Sequence, residues 1–153
     1  MKLSTKGRYA MVAMIDLVQE LEKSGAQHLS LAEIARRQNV SLAYLEQLFV
    51  KLRRAGLVDS VRGPGGGYRL ARPAAEIRVA EVLEAVEESY SALEKGAGAT
   101  GALSGSRAQS MANRLWEGLS AQVYVFLHQT TLEDVAFNRL KPCPAVPSLF
   151  RVA

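Results

Sequence analysis

Side chains able to act as nucleophiles or soft metal ligands are few in this 153-residue chain. It has one cysteine, Cys143, and two histidines, His28 and His128, which are far apart in the sequence. No cysteine and histidine pairing has the spacing of a zinc site, and Cys143 has no candidate general base beside it. We therefore expect no enzymatic function, and we interpret His28 as a surface or packing residue.

The stretch from residue 30 to residue 54 has the pattern of two helices separated by a tight turn. Ser30 with Glu33 three residues later is a capping box, which begins the first helix. Asn39 tolerates the left-handed backbone that such a turn often needs. Ser41 then caps the second helix. The pattern predicts a helix-turn-helix.

The second helix of this pair has one apolar side and one polar side. The apolar side recurs at helical spacing and consists of Leu45, Leu48, Phe49 and Leu52. The opposite side carries Ala43, Tyr44, Glu46, Gln47, Lys51 and Arg54. A helix of this size fits the major groove, where each base pair shows a distinct donor and acceptor pattern. These features predict binding to double-stranded DNA.

Two predicted strands follow, at residues 57–62 and 68–72, joined by the loop GPGGG. Alternation puts Arg62 at the end of the first strand, from which a wing reaches the minor groove or a phosphate. Arg62 and Gly65 are therefore the candidate DNA contacts of the wing. A dinucleotide-binding loop is disfavoured, because it needs a helix after the glycines and here a strand follows.

The charge is unevenly distributed along the chain. Residues 1–72 hold 12 Lys and Arg against 6 Asp and Glu, whereas residues 73–153 hold 7 against 9. This asymmetry predicts a polyanion-binding surface in the N-terminal half. Another helix is predicted before this helix pair, with Ser4 or Thr5 as its cap and Ser24-Gly25 at its end. Lys2, Lys6 and Arg8 stand at its predicted start, where a phosphate is favoured. Two alternatives stay open: solvated basic side chains without a partner, and a helix-turn-helix that binds protein.

The predicted fold is mostly α with a small β-wing. We expect a winged helix-turn-helix domain at 1–89, a flexible Gly-, Ala- and Ser-rich sensor-type loop at 90–106, a dimerisation helix with a short following helix at 107–138, and an extended tail at 139–153. Thr131 with Asp134 is predicted to cap the short following helix. No apolar run has the length of a membrane span, and no signal sequence begins the chain. We therefore expect a cytoplasmic protein without a membrane partner.

The long helix of the third segment has an apolar stripe and a length of about 30 Å. The stripe comprises Met111, Ala112, Leu115, Trp116, Leu119, Val123, Phe126 and Leu127. A stripe of that size is expected to pair with a second copy in a two-fold dimer. Two wings would then read half-sites about one turn of DNA apart, or a multiple of it. Packing onto the chain's own core is the alternative.

Three segments of the chain resemble the iron–sulfur cluster regulators of the IscR type. They read MKLSTKGRYA, SLAYLEQLFVKLRRAGLVDSVRGPGGGYRLAR and TLEDV. The resemblance implies a dimeric winged-helix transcription regulator whose recognition helix enters the major groove. On matching positions, the residues facing bases or backbone would be Ser41, Tyr44, Glu46 and Gln47, with Arg62 as the wing contact. Glu46 can accept from cytosine N4 but repels phosphate, which favours specificity over general affinity.

The sensor part of that family departs from the present sequence. The resemblance implies a loop with three cysteines and a nearby histidine that hold a two-iron, two-sulfur cluster. Here residues 90–110 contain no cysteine, and the expected histidine position holds Asn113 or Arg114. Cys143 is the one soft thiolate, and a dimer would supply two. Conceivable further ligands are His128 and Glu94.

Two sensing modes therefore stay open. In the first, the protein regulates iron–sulfur or iron metabolism genes through a cluster with unusual ligands that include Cys143. In the second, it is a cluster-free member that senses a partner protein, as the relative CymR does, or a small molecule. Cys143 would then be an uninvolved thiol of the tail.

Overall fold

The computed structural model describes residues 4–86 and 106–140. In chain order their elements are α1 (Thr5–Ser24), α2 (Leu31–Gln38), α3 (Leu42–Arg54), β1 (Val58–Val61), β2 (Gly67–Leu70), a short 3-10 turn (Ala74–Glu76), α4 (Val79–Ala85), α5 (Arg107–Gln129) and α6 (Leu132–Ala136). The prediction of a mostly helical chain with a small wing is confirmed.

Helix α1 is the centre of the hydrophobic core. Its Ala10, Met14 and Leu17 side chains are fully buried. Helices α2, α3, α4 and α6 all pack against it. Gly25 ends the helix with a left-handed backbone (φ 65°), as the sequence suggested. Ser4 occupies the N-cap position, although its side chain makes no capping hydrogen bond.

The predicted helix-turn-helix is present as α2 and α3. Ser30 Oγ accepts from the backbone N–H of Glu33, and the Glu33 carboxylate accepts from the N–H of Ser30, which completes the capping box. Asn39 makes the turn in the left-handed region (φ 52°, ψ 49°). Leu45, Leu48, Phe49 and Leu52 bury the inner side of α3. The outer side of α3 is thereby turned away from the core.

A buried ion pair fastens this helix pair to α1. Asp16 is only 6% exposed. Its carboxylate accepts from Nε of Arg37 at 3.0 Å, from Nη2 of Arg37 at 2.7 Å and from Nε2 of Gln38 at 2.9 Å. The hydrogen bond to Asp16 raises the pKa of Arg37. Because a buried carboxylate needs such partners, the pair fixes the end of α2 against α1.

The wing is a two-stranded antiparallel sheet in which Val58 pairs with Leu70 and Val61 with Gly67. Both strands are shorter than the sequence predicted. The first strand ends before Arg62, which lies in the loop. The second strand ends at Leu70. The side chain of Arg72 donates to the carbonyl O of Glu76 and to the carboxylate of Glu81.

The segment before α2 pairs with strand β2 of the wing. The backbone N–H of Leu29 donates to Tyr68 O at 2.9 Å, and the N–H of Tyr68 donates to Leu29 O at 2.7 Å. A Cβ at Gly67 would press against that Leu29 carbonyl, so only glycine permits this approach. The α1–α2 connection therefore supports the wing.

The short helix α6 returns to the core beside α1. Leu132 is fully buried, and Gln19 Nε2 donates to Ala136 O at 2.7 Å. Thr131 and Asp134 form a capping box at its start, as predicted. The hydrogen bonds of Thr131 hold the pKa of Asp134 below its usual value. Residues 107–138 thus contribute both a core helix, α6, and the long helix α5.

Helix α5 has no buried residue in the single chain. Arg78 Nη1 donates to Gln129 O at 3.2 Å, which holds the C-terminal end of α5 near the start of α4. Nearly all of the predicted loop at 90–106 and of the tail at 139–153 lies outside the described residues. Within 4–86 and 106–140, no helix has the length and apolarity needed to cross a membrane.

Candidate nucleic-acid interface

The outer face of α3 exposes most of the predicted DNA-contacting side chains. Ser41, Glu46 and Gln47 are exposed, whereas Tyr44 and Lys51 are half-buried. Ser41 Oγ accepts from the backbone N–H of Tyr44 at 3.4 Å, so it caps α3 and keeps its own hydroxyl proton to donate. Ala43 and Arg54 of the same face are exposed as well.

An aromatic contact brings the start of α1 beside the start of α3. The ring of Tyr9 meets the ring of Tyr44 edge to face, with 5.7 Å between centroids. Arg8, next to Tyr9, is exposed, and Lys6 is half-buried. The basic residues at the start of α1 therefore lie near the N-terminus of α3. Lys2 lies outside the described residues.

The wing ends in a glycine turn that presents Arg62. The backbone N–H of Gly66 donates to Gly63 O at 2.9 Å, and the two central residues are Pro64 and Gly65. Gly65 has a positive φ of 72°, so the turn matches type II, which favours proline followed by glycine. Arg62, just before the turn, is exposed and makes no ion pair among the described residues.

The wing and α3 enclose an open groove of about 420 Å³. It is lined by Ser30, Leu31, Ala32, Leu42, Glu46, Val50, Gly66, Gly67 and Tyr68. Glu46 is the only acidic side chain of α3, while its last turn is basic. Leu42 and Val50 of this groove are 40% and 38% exposed. Sequence reasoning did not select them, although helical spacing places Leu42 and Val50 on the side that carries Glu46.

The described residues do not by themselves fit an iron–sulfur cluster. They contain no group of three His, Cys, Asp or Glu side chains arranged to hold a metal. His128 Nδ1 donates to Tyr124 O at 2.8 Å, and its Nε2 lies 3.5 Å from a Glu84 carboxylate oxygen. Asn113 has a buried Oδ1 with no hydrogen-bond partner among residues 4–86 and 106–140. Cys143 and Glu94 lie outside the described residues.

The predicted apolar stripe of α5 divides into two sides. Ala112, Val123 and Leu127 are half-buried, and Trp116 on the same side is 38% exposed. Helix α4 is in contact with α5. Met111, Leu115, Leu119 and Phe126 form a separate outer side, with exposed fractions of 61%, 62%, 43% and 56%. The intervals of four, four and seven residues keep this outer side on one line along the helix. We call these four residues the outer α5 face.

Comparison with known proteins agrees with this arrangement. Residues 3–138 match the model of the Rrf2 family, described as iron-dependent transcriptional regulators. The chain is 70% identical to the HTH-type transcriptional regulator IscR of Cereibacter sphaeroides, over 99% of this chain and 97% of that protein.

Solved structures are similar too. CymR, the global cysteine regulator of B. subtilis, has a TM-score of 0.74 at 36% identity, covering 90% of this chain and 98% of CymR. IscR of T. potens has a TM-score of 0.69 at 34% identity, covering 99% and 97%. These similarities, together with the helix-turn-helix and the wing, show that the chain belongs to the Rrf2 family of helix-turn-helix transcriptional regulators.

Proposed function

We propose that this regulator binds operator DNA as a two-fold dimer, with α3 in the major groove and the wing arginine in the minor groove. The observation that carries the proposal is the common placement of three features. The start of α1 contacts the start of α3 through Tyr9 and Tyr44, and the exposed side of α3 shares a groove with the glycine turn of the wing, which follows Arg62. The cationic and amide side chains of these features suit phosphates and base edges.

The roles within this surface follow from donor chemistry. Gln47 has an amide that can bond adenine in bidentate fashion, and Glu46 accepts from cytosine N4. Ser41 donates its hydroxyl proton to a base edge or a phosphate. Tyr44, half-buried against Tyr9, contributes through its ring edge and hydroxyl. The phosphate contacts are assigned to Lys2, Lys6, Arg8 and Lys51, and the backbone of Gly65 approaches the DNA beside Arg62.

A salt titration of DNA binding tests this assignment. The probe is a duplex that the wild-type protein selects from a randomised library. A DNA binder weakens steeply as salt rises, because neutralised phosphates release counterions. Arg62→Ala is expected to weaken binding by roughly tenfold or more. Arg69→Ala is the matched control, since this exposed wing arginine pairs with Asp59 at 3.9 Å.

A protein-binding adaptor is the competing function, and the same titration separates it. If binding is weak, insensitive to salt and unaffected by Arg62→Ala, the surface does not read DNA. Gln47→Ala adds a specificity readout, because loss of a base contact relaxes sequence preference at one position, whereas loss of a phosphate contact weakens all sequences alike.

The outer α5 face supports dimerisation. It is apolar, exposed along the length of the helix and uncovered by the described residues. The occupant we assign to it is the same face of a second copy, since two-fold pairing covers both stripes at once. The half-buried side of α5 then remains in contact with its own subunit.

The genes under control are proposed to serve iron–sulfur or iron metabolism, because the chain is so similar to IscR. Two sensing modes remain to be separated. One uses a two-iron, two-sulfur cluster ligated by Cys143 and further atypical ligands. The other is cluster-free and senses a partner protein or a small molecule. A cluster would add a redox-sensitive, oxygen-sensitive group to the dimer.

Purification without oxygen, followed by reconstitution with iron and sulfide, decides between the two modes. A visible absorption band with bound iron in wild type, both lost in Cys143→Ala, supports the cluster. Wild-type protein without bound iron, and operator affinity unchanged in Cys143→Ala, supports the cluster-free mode. A tenfold loss of affinity in Cys143→Ala counts against the cluster-free mode.

A further inference from the structure

His28 reaches from the α1–α2 connection to the tip of the wing. Its Nε2 lies within hydrogen-bonding distance of the carbonyl O of Gly65, 37 residues further along the chain. A carbonyl oxygen only accepts, so Nε2 carries the proton and donates. Gly65 is the third residue of the glycine turn, and the contact therefore joins the support of the wing to its outermost loop.

The backbone pairing of the wing stops before the loop at 62–66. The last strand pair is Val61 with Gly67, and the bridge between Leu29 and Tyr68 lies on the same side of the loop. Beyond that pair, the Gly66–Gly63 hydrogen bond closes the turn on itself. Among the described residues, His28 makes the only side-chain hydrogen bond to the loop at 62–66.

A loop that is rich in glycine loses much conformational freedom when it is ordered. A restraint that is already present in the free protein removes part of that loss from the binding step. The loop contains Arg62 and Gly65, the two wing contacts of the proposed function. The His28 contact is made to this same loop, three residues from Arg62.

We propose that His28 is a positioning residue for DNA binding, which holds the wing turn so that Arg62 is aimed at the duplex. The inference rests on the proposed function of the wing. It predicts that His28→Ala lowers operator affinity by about fivefold, the size expected for ordering one or two groups at an interface.

The experiment uses the whole 153-residue chain and a labelled duplex selected by the wild type from a randomised library. Affinity is measured by fluorescence anisotropy for His28→Ala, His28→Gln, Arg62→Ala and the His28→Ala/Arg62→Ala double variant. Glutamine offers an N–H that can donate to the same carbonyl, so His28→Gln is expected to recover most of the lost affinity. Gln27→Ala, at an exposed neighbouring position, is the matched control.

The double variant separates positioning from a general effect on folding. If His28 acts through Arg62, removing it in the Arg62→Ala background changes affinity by less than twofold. Thermal melting of each variant is recorded, and His28→Ala is expected to melt within a few degrees of wild type because the residue is only partly buried.

Each outcome has a distinct meaning. Wild-type affinity of His28→Ala beside weakened Arg62→Ala overturns the inference and leaves the proposed function intact. Full additivity of the two substitutions, or no recovery in His28→Gln, also overturns it. Unchanged affinity of Arg62→Ala overturns the proposed function of the wing itself.

Discussion

Replacing Leu115 by glutamate is expected to separate the proposed dimer. Leu115 is the most exposed residue of the outer α5 face, at 62%. Complete burial of a leucine contributes about 1.5–3 kcal/mol, so covering its exposed part contributes about 1–2 kcal/mol per copy. A two-fold dimer buries Leu115 of both copies, so the two side chains together contribute about 2–4 kcal/mol to the free energy of dimerisation.

These magnitudes translate into dissociation constants. Since about 1.4 kcal/mol corresponds to a factor of ten, Leu115→Ala is expected to raise the dimer dissociation constant by roughly thirtyfold to several hundredfold. Leu115→Glu adds the cost of removing two carboxylates from water without partners. We expect that variant to be monomeric at micromolar concentrations and to bind a two-half-site operator far more weakly than wild type.

Sedimentation velocity over a concentration series measures this directly. Ala121→Glu is the matched control, because it adds the same charge at an exposed position six residues further along, on another side of the helix. The reasoning fails if Leu115→Glu sediments as wild type does, or if both glutamate variants dissociate equally. A wild-type protein that is monomeric throughout would also refute it.

Three further predictions concern the frame of the site. Asp16→Ala leaves the guanidinium of Arg37 partly buried without its carboxylate, and urea unfolding should show a loss of about 3 kcal/mol; a loss under 1 kcal/mol contradicts the role of the pair. Gly67→Ala forces a Cβ against the carbonyl O of Leu29, so DNA affinity and the melting temperature should both fall. Unchanged values would show that the wing accommodates the added Cβ. Hydrogen bonds from Ser30 hold the pKa of Glu33 below its usual value, so the capping box contributes stability above about pH 4.3 that is lost as the pH falls through the lowered pKa. Urea midpoints between about pH 6 and pH 3 should therefore fall less in Glu33→Gln than in wild type.

Features that depend on contacts within a few residues were readable from the sequence. The capping boxes that begin with Ser30 and Thr131 each close over three positions, so their residue types specify them. The left-handed turn at Asn39 and the glycine turn at Gly65 likewise follow from local backbone preference. The apolar spacing that gives a helix one buried and one exposed side is likewise a local property of the sequence.

Contacts between distant segments were decided by the tertiary structure. The ion pair of Asp16 with Arg37 and the contact of His28 with Gly65 join residues 21 and 37 positions apart. No local pattern marks such partners, because either side chain suits solvent equally well. For the same reason the sequence could not show which residues of the α5 stripe stay exposed when α5 contacts α4. The exposed ones form the outer α5 face, which we assign to a second copy.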